Sequence, residues 1–279
     1  MKKSLGDYLL DRTESIKEDL ILDYFIKRND DKINRLLDTE QYLLEGSRGV
    51  GKTMLLKTAM LSSLAEFGQN SVLPVWISFE ESIRLERIDI LDNSIDPFLQ
   101  WTMGKILDET LKSIFKTKPE CINDLNTRLS AIFNIEITDK TLQYSNILNE
   151  YVKILEKADI KDSNELKKHV PSSELLTILD NPQSFKEFLL KLISDFNLNR
   201  IVFLFDEAAH VFSYPQQEKF FTFFKTLRDP KIASKAAVYP GITNYGKYFE
   251  RGQDAKEIHV EWKPLDPDDV GFIKKILKK

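Results

Sequence analysis

A single cysteine, Cys121, in 279 residues excludes an internal disulfide and a cysteine-based zinc site. That usage fits a reducing compartment, and a cytoplasmic protein is expected. The three histidines, His169, His210 and His259, are far apart and never in H-E-x-x-H spacing, so no protein-bound zinc is expected. No run of about eighteen apolar residues occurs, which leaves no candidate for a membrane-spanning helix. The basic start "MKKSLGDYLLDRTE" meets Asp7 and Asp11 before any sustained apolar stretch, unlike a secretory signal. Basic excess is missing too. A formal charge of -4 gives no global attraction to nucleic acid, so such contact is left to a local patch. No internal repeat or low-complexity run is present, and 42% hydrophobic with 30% charged residues describe a globular chain with a substantial core.

Glycine is scarce as well, yet three of the ten glycines, Gly46, Gly49 and Gly51, fall within six positions. They belong to Gly46-Ser47-Arg48-Gly49-Val50-Gly51-Lys52-Thr53, which matches G-x-x-x-x-G-K-[ST] between the apolar "QYLLEG" and a helical pattern. A phosphate cradle needs successive backbone N–H groups turned inward, which favours residues without a Cβ. The helix start adds unpaired N–H groups and partial positive charge. Residues 46 to 54, through Met54, are thus the expected nucleotide cradle. Lys52 would reach the β- and γ-phosphates, and the Thr53 hydroxyl would hold Mg²⁺.

Elsewhere the chain alternates strand and helix patterns, which implies a mainly parallel sheet flanked by helices. Strands are expected near 41–45, 72–79, 200–205, 236–240 and 257–261. Asn29 or Asp30 is expected to cap a helix carrying Ile33, Leu36 and Leu37, and Ser184 to cap the helix before the third strand. Pro74 points to a strand start or a position outside a ladder's interior. Ile201 to Phe205 form an unbroken apolar run, the pattern of a strand buried on both faces. Between the second and third strands, residues 82 to 183 are too long for a simple crossover and read as a helical insertion in one domain spanning 1–279. Its stripes, Leu99-Met103-Leu107-Leu111-Ile114 and Ile147-Tyr151-Ile154-Leu155, are expected core.

Asp206 and Glu207 close the buried run. Carboxylates at the edge of an apolar core need a partner, and a Mg²⁺-nucleotide would be one. Asp206 is expected to orient Mg²⁺ through its water shell, and Glu207 to polarise the attacking water. After the fourth strand, "YPGITNYG" places Thr243 and Asn244 at a strand's carboxyl end, where open α/β sheets bind ligands. Asn244 is the preferred candidate for the γ-phosphate or the water; a plain turn is the competing reading.

The loop at 46–53, the Asp206-Glu207 pair and the polar residue after the next strand, in that order, resemble the Walker A, Walker B and sensor-1 elements of AAA+ ATPases. Within them "YFIKRNDDKINRLL", "GSRGVGKTMLLK" and "DEAAHVFSYPQQEKFFTFFKTLRDPKIASKAAVYPGITNYG" are similar to origin-recognition-like (ORC and Cdc-type) bacterial ATPases, many associated with anti-phage defence. The resemblance covers roughly 20–80 and 184–270. It implies a three-layer α/β/α P-loop fold with sheet order 5-1-4-3-2, ATP and Mg²⁺ as ligands, Phe25 and Ile26 near the adenine, and Asn244 as sensor 1. It also implies a homo-oligomer, or a partner protein that supplies a lid or an arginine finger. The chain stops at "LDPDDVGFIKKILKK", where a lid's first helix is expected, so the lid is truncated or absent and sensor 2 is unassigned. Arg228 and Arg251 are the candidate fingers, against the reading of solvated surface arginines. A small-molecule kinase is the enzymatic rival, though no arginine cluster lies between the third and fourth strands; a GTPase is disfavoured because N-K-x-D is missing. A nucleotide-gated scaffold with little hydrolysis is the rival from another class.

Overall fold

The computed structural model describes residues 21–22, 31–79, 96–133, 143–156 and 172–261. Phe25, Ile26, Asn29, Asp30, His169 and the terminal "KKILKK" lie outside them. The elements in order are α1 (Lys32–Leu37), β1 (Tyr42–Glu45), α2 (Lys52–Asn70), β2 (Val72–Ser78) and α3 (Pro97–Thr117). There follow α4 (Ile122–Phe133), α5 (Gln143–Glu156), α6 (Ser173–Asp180), α7 (Pro182–Asp195) and β3 (Arg200–Asp206). The chain continues through α8 (Ala208–Val211), α9 (Tyr214–Thr226), β4 (Ile232–Val238) and β5 (Lys256–His259).

The five strands form one all-parallel sheet in the order β2-β3-β4-β1-β5, which is the order 5-1-4-3-2 that the resemblance implies. Its faces follow from the two-residue period of a strand. Ile201, Phe203 and Phe205 of β3 point into one core with Leu43, Val75, Ile77 and the helices from α3 to α9. Val202 and Leu204 point into the other, with Leu44, Ala237 and the apolar residues of α1 and α2. Two buried faces explain why β3 reads as an unbroken apolar run. Three layers result, α/β/α.

Pro74 sits inside β2, paired with Val202, and is tolerated because β2 is an edge strand whose outer side needs no ladder donor. On the larger face Phe79 lies 4.9 Å from Phe212, 5.6 Å from Trp101 and 5.7 Å from Phe220, ring centre to ring centre. Trp101 and Phe98 belong to α3, so this helix of the stretch read as an insertion is packed into the main core. Further along α3, Met103, Leu107, Leu111 and Ile114 are buried as the stripe predicts, with Leu99 partly so. In α5, Tyr151 and Leu155 are buried and the Tyr151 hydroxyl donates to Gln100 at 2.7 Å, joining α5 to α3.

Three boundaries differ from expectation. The N-cap of α7 is Asn181, whose Oδ1 accepts from the Gln183 N–H at 2.8 Å; Pro182 fits the first helical turn, and Ser184 lies inside the helix. Asp31 occupies the N-cap position of α1. Strand β4 begins at Ile232, four residues before the expected start, and carries a lysine in its interior. Lys235 is fully buried, and its ammonium donates to the Asp38 carbonyl at 3.0 Å, to Asp38 Oδ1 at 3.1 Å and to the Glu40 carbonyl.

Burial pulls the Lys235 pKa down to about 8, against the opposing pull of Asp38. Between pH 8 and 10.5 the unfolded chain keeps this proton and the folded chain has released it, so stability rises with pH across that window. Relative to Lys235→Met, the parent is expected to gain up to about 3 kcal/mol between those limits. Urea unfolding of both proteins at successive pH values checks this; a constant or falling difference contradicts it.

Candidate nucleotide site

The carboxyl ends of β1, β3 and β4 converge on the glycine loop. Gly46 donates its N–H to the Val238 carbonyl at 3.3 Å, and the Val260 N–H donates to the Glu45 carbonyl at 2.7 Å, so the loop's first residue is pinned between the ends of β4 and β5. A Cβ on Gly46 would lie 2.4 Å from the Val260 carbonyl oxygen and 2.8 Å from Val50 Cγ2, closer than atoms can approach. Gly51 holds φ +94 at the N-cap position of α2, a left-handed conformation that favours glycine. No side chain caps that end, which leaves the first-turn N–H groups to a ligand such as a phosphate. Ser47, Arg48 and Gly49 are exposed at the loop's crest, Val50, Thr53 and Met54 are half-buried, and Lys52 is buried beneath.

Lys52 Nζ donates to the carbonyls of Gly46 at 2.6 Å and Ser47 at 2.9 Å, and lies 3.9 Å from the centre of the Tyr239 ring. Its pKa is pulled down to about 8 by desolvation, opposed by the charges of Glu207 and then Asp206. The loop lysine and the acidic pair therefore share one electrostatic environment, although more than 150 residues of sequence separate them. Asp206 is buried, and its Oδ1 accepts the Glu207 N–H at 3.1 Å. Glu207 has φ +61, a left-handed conformation rare for a residue with a side chain, and it leads into the short α8. Strain of this kind persists only where the surroundings enforce it, and it concentrates at functional sites.

Tyr239, the first residue after β4, completes this group. Its hydroxyl lies 3.4 Å from each Glu207 carboxylate oxygen. Burial first, then the neighbouring Glu207 and Asp206, push the phenol pKa up to about 12, so it remains a donor at neutral pH. Its backbone is clamped by Thr243, whose Oγ1 accepts the Tyr239 N–H at 3.0 Å and donates to the Tyr239 carbonyl at 2.8 Å. Sequence reasoning passed over Tyr239 because it extended the fourth strand to residue 240. Ending the strand at the last aliphatic residue would have exposed a polar aromatic at the sheet's carboxyl edge.

Asn244 lies on the loop after β4. Its Nδ2 donates to the Tyr214 carbonyl at 3.1 Å and its Oδ1 accepts the Gly246 N–H at 3.1 Å. Its own N–H donates to Gln217 Oε1 at 2.7 Å, while Gln217 Nε2 donates to the carbonyls of Ala209 at 3.0 Å and Phe212 at 2.9 Å. These bonds tie the loop after β4 to the turn that follows the acidic pair.

Both candidate finger arginines are engaged within their own chain. Arg251 Nη2 contacts Glu45 Oε1 at 2.9 Å and Oε2 at 3.0 Å, and its Nε contacts Glu257 at 2.6 Å. Arg228 Nη1 donates to the Gln253 carbonyl at 3.2 Å. Glu45, Glu257 and His259 also bring potential metal-ligating atoms within 4.8 Å of one another, but Arg251 already bridges both carboxylates and supplies the positive charge there.

A parallel sheet in this order, with a glycine loop feeding a helix and an acidic pair on the strand two places away, defines a P-loop NTPase fold of the AAA+ kind. The family model ORC-CDC6-like matches residues 10–259, and the chain belongs to that family, which marks it as an AAA+ ATPase module. The match spans the stretch 82–183, which the motif resemblance left out. No curated protein and no solved structure matches the chain. Among the described residues no helix is long and apolar enough to cross a membrane.

Proposed function

We propose that the chain binds Mg²⁺-ATP at the carboxyl edge of β1, β3 and β4 and hydrolyses it, acting as a motor or nucleotide switch. The carrying observation is the convergence of Lys52, Asp206, Glu207 and the uncapped start of α2 on one edge of the sheet. The loop N–H groups and Lys52 bind the phosphates, and Glu207 accepts a proton from water as it attacks the γ-phosphorus. The bond to the bridging oxygen breaks, leaving ADP and phosphate. Oxygen donors are what Mg²⁺ takes, and the Thr53 hydroxyl with the buried Asp206 carboxylate offers them. The ion would neutralise charge on the β- and γ-phosphates. Asn244, on the loop after β4, would sense the γ-phosphate or the attacking water in this scheme.

The assembly is part of the proposal. A homo-oligomer or a partner chain would contribute an arginine at the shared site, so phosphate release per chain is expected to rise with protein concentration. Constant turnover per chain would exclude completion of the site by a second copy. A nucleotide-gated scaffold with little hydrolysis is the second reading, favoured by the engagement of Arg228 and Arg251 inside their own chain. It predicts ATP binding with no phosphate release at any concentration. The DNA-associated setting implied by the resemblance is tested by a salt-dependent shift of labelled DNA.

A further inference from the structure

We propose that Tyr239 is a positioning residue for hydrolysis, its hydroxyl steering Glu207 and its ring holding Lys52; this rests on the reading of the site as an ATPase. Tyr239 reaches both halves of the site, with its ring centre 3.9 Å from the Lys52 ammonium and its hydroxyl 3.4 Å from both oxygens of Glu207. The hydroxyl contact is longer than an ordinary O–H···O bond, as catalytic contacts often are before a substrate tightens them. Equal distances to the two oxygens let the hydroxyl follow the carboxylate as it turns. The ring contact is a cation–π interaction, which adds strength where the cation is shielded from water, as the buried Lys52 is.

The mount is as specific as the contacts. Thr243 binds both the N–H and the carbonyl of Tyr239, closing a turn immediately beyond β4. Val238, one residue earlier, accepts the N–H of Gly46 and so fixes the end of β4 to the start of the glycine loop. The position of the tyrosine is thereby referred to the loop that carries Lys52. The strained backbone of Glu207 sets the other end of the contact.

The ring and the hydroxyl have separable jobs, and two substitutions separate them. Tyr239→Phe keeps the ring over Lys52 and removes only the donor to Glu207. Its kcat for Mg²⁺-ATP is expected to fall about tenfold, with KM and the equilibrium affinity for Mg²⁺-ATP within twofold of the parent. Tyr239→Leu is expected to lose about fivefold in affinity as well. In a Glu207→Gln background Tyr239→Phe should have no further effect on turnover, because both changes act through one carboxylate. A merely structural tyrosine would instead shift KM and melting temperature while leaving the two substitutions independent. Unchanged kcat in Tyr239→Phe overturns the proposal and leaves the ATPase reading standing. A parent that binds Mg²⁺-ATP without releasing phosphate overturns both, and that result is visible before any variant is made.

Discussion

Glu207→Gln is expected to bind Mg²⁺-ATP as tightly as the parent and to release phosphate about a hundredfold more slowly or worse. The glutamine keeps the shape of the side chain and loses the carboxylate proposed to accept the proton of the attacking water, a role contributing about 10²- to 10⁴-fold. Binding is expected to be spared, because in the proposed site the loop and Lys52 hold the phosphates. Single-turnover phosphate release with saturating nucleotide, together with an equilibrium titration, separates the two effects. Equal rates in parent and variant would remove Glu207 from the chemistry.

Gly46→Ala is expected to be the most damaging single-methyl change in the loop. The added carbon would lie 2.4 Å from the Val260 carbonyl oxygen, a backbone atom that cannot swing away as a side-chain tip can. Val260 is itself tied by its N–H to Glu45, so relief requires β5 to part from β1 or the loop to move. Overpacking of this kind costs about 1–3 kcal/mol, and the upper end is expected here with loss of nucleotide affinity. Gly49→Ala is the control. A Cβ there meets nothing within 4 Å, so its penalty comes only from the left-handed backbone at φ +82. Urea unfolding should rank Gly46→Ala as the less stable of the two.

How much of this was legible depends on the distance over which each signal acts. The glycine loop is written locally, in residues whose backbone geometry must suit a phosphate, and β3 announces itself because both of its faces are buried. The order of the strands was not readable from periodicity; it came from the resemblance. Lys235 hid the first half of β4, since a lysine inside a central strand is tolerated only where Asp38 and Glu40 meet it from across the fold. Asn181 rather than Ser184 caps α7, because Pro182 takes the first helical turn and Ser184 falls inside the helix. Arg251 looked like a free surface arginine, and nothing in its neighbourhood of sequence points to Glu45. Tyr239 falls within the expected fourth strand, which runs to residue 240, two residues beyond the observed end. Its significance lies in Lys52 and Glu207, which only the folded sheet brings to it.

His259 shows no metal-binding spacing in sequence, yet β1 and β5 place its Nδ1 3.2 Å from Glu45 and its Nε2 3.4 Å from Glu257. Arg251 pairs with both carboxylates of the same cluster and fastens the end of β1 to β5 beside the glycine loop.

The most direct test of the central claim is an equilibrium titration of the parent and of Lys52→Ala with Mg²⁺-ATP at neutral pH. Saturable binding of one nucleotide per parent chain, weakened at least about tenfold in the variant, is the predicted result. No binding by the parent, or equal binding by the two proteins when both are folded, would contradict the assignment of the glycine loop as the nucleotide site.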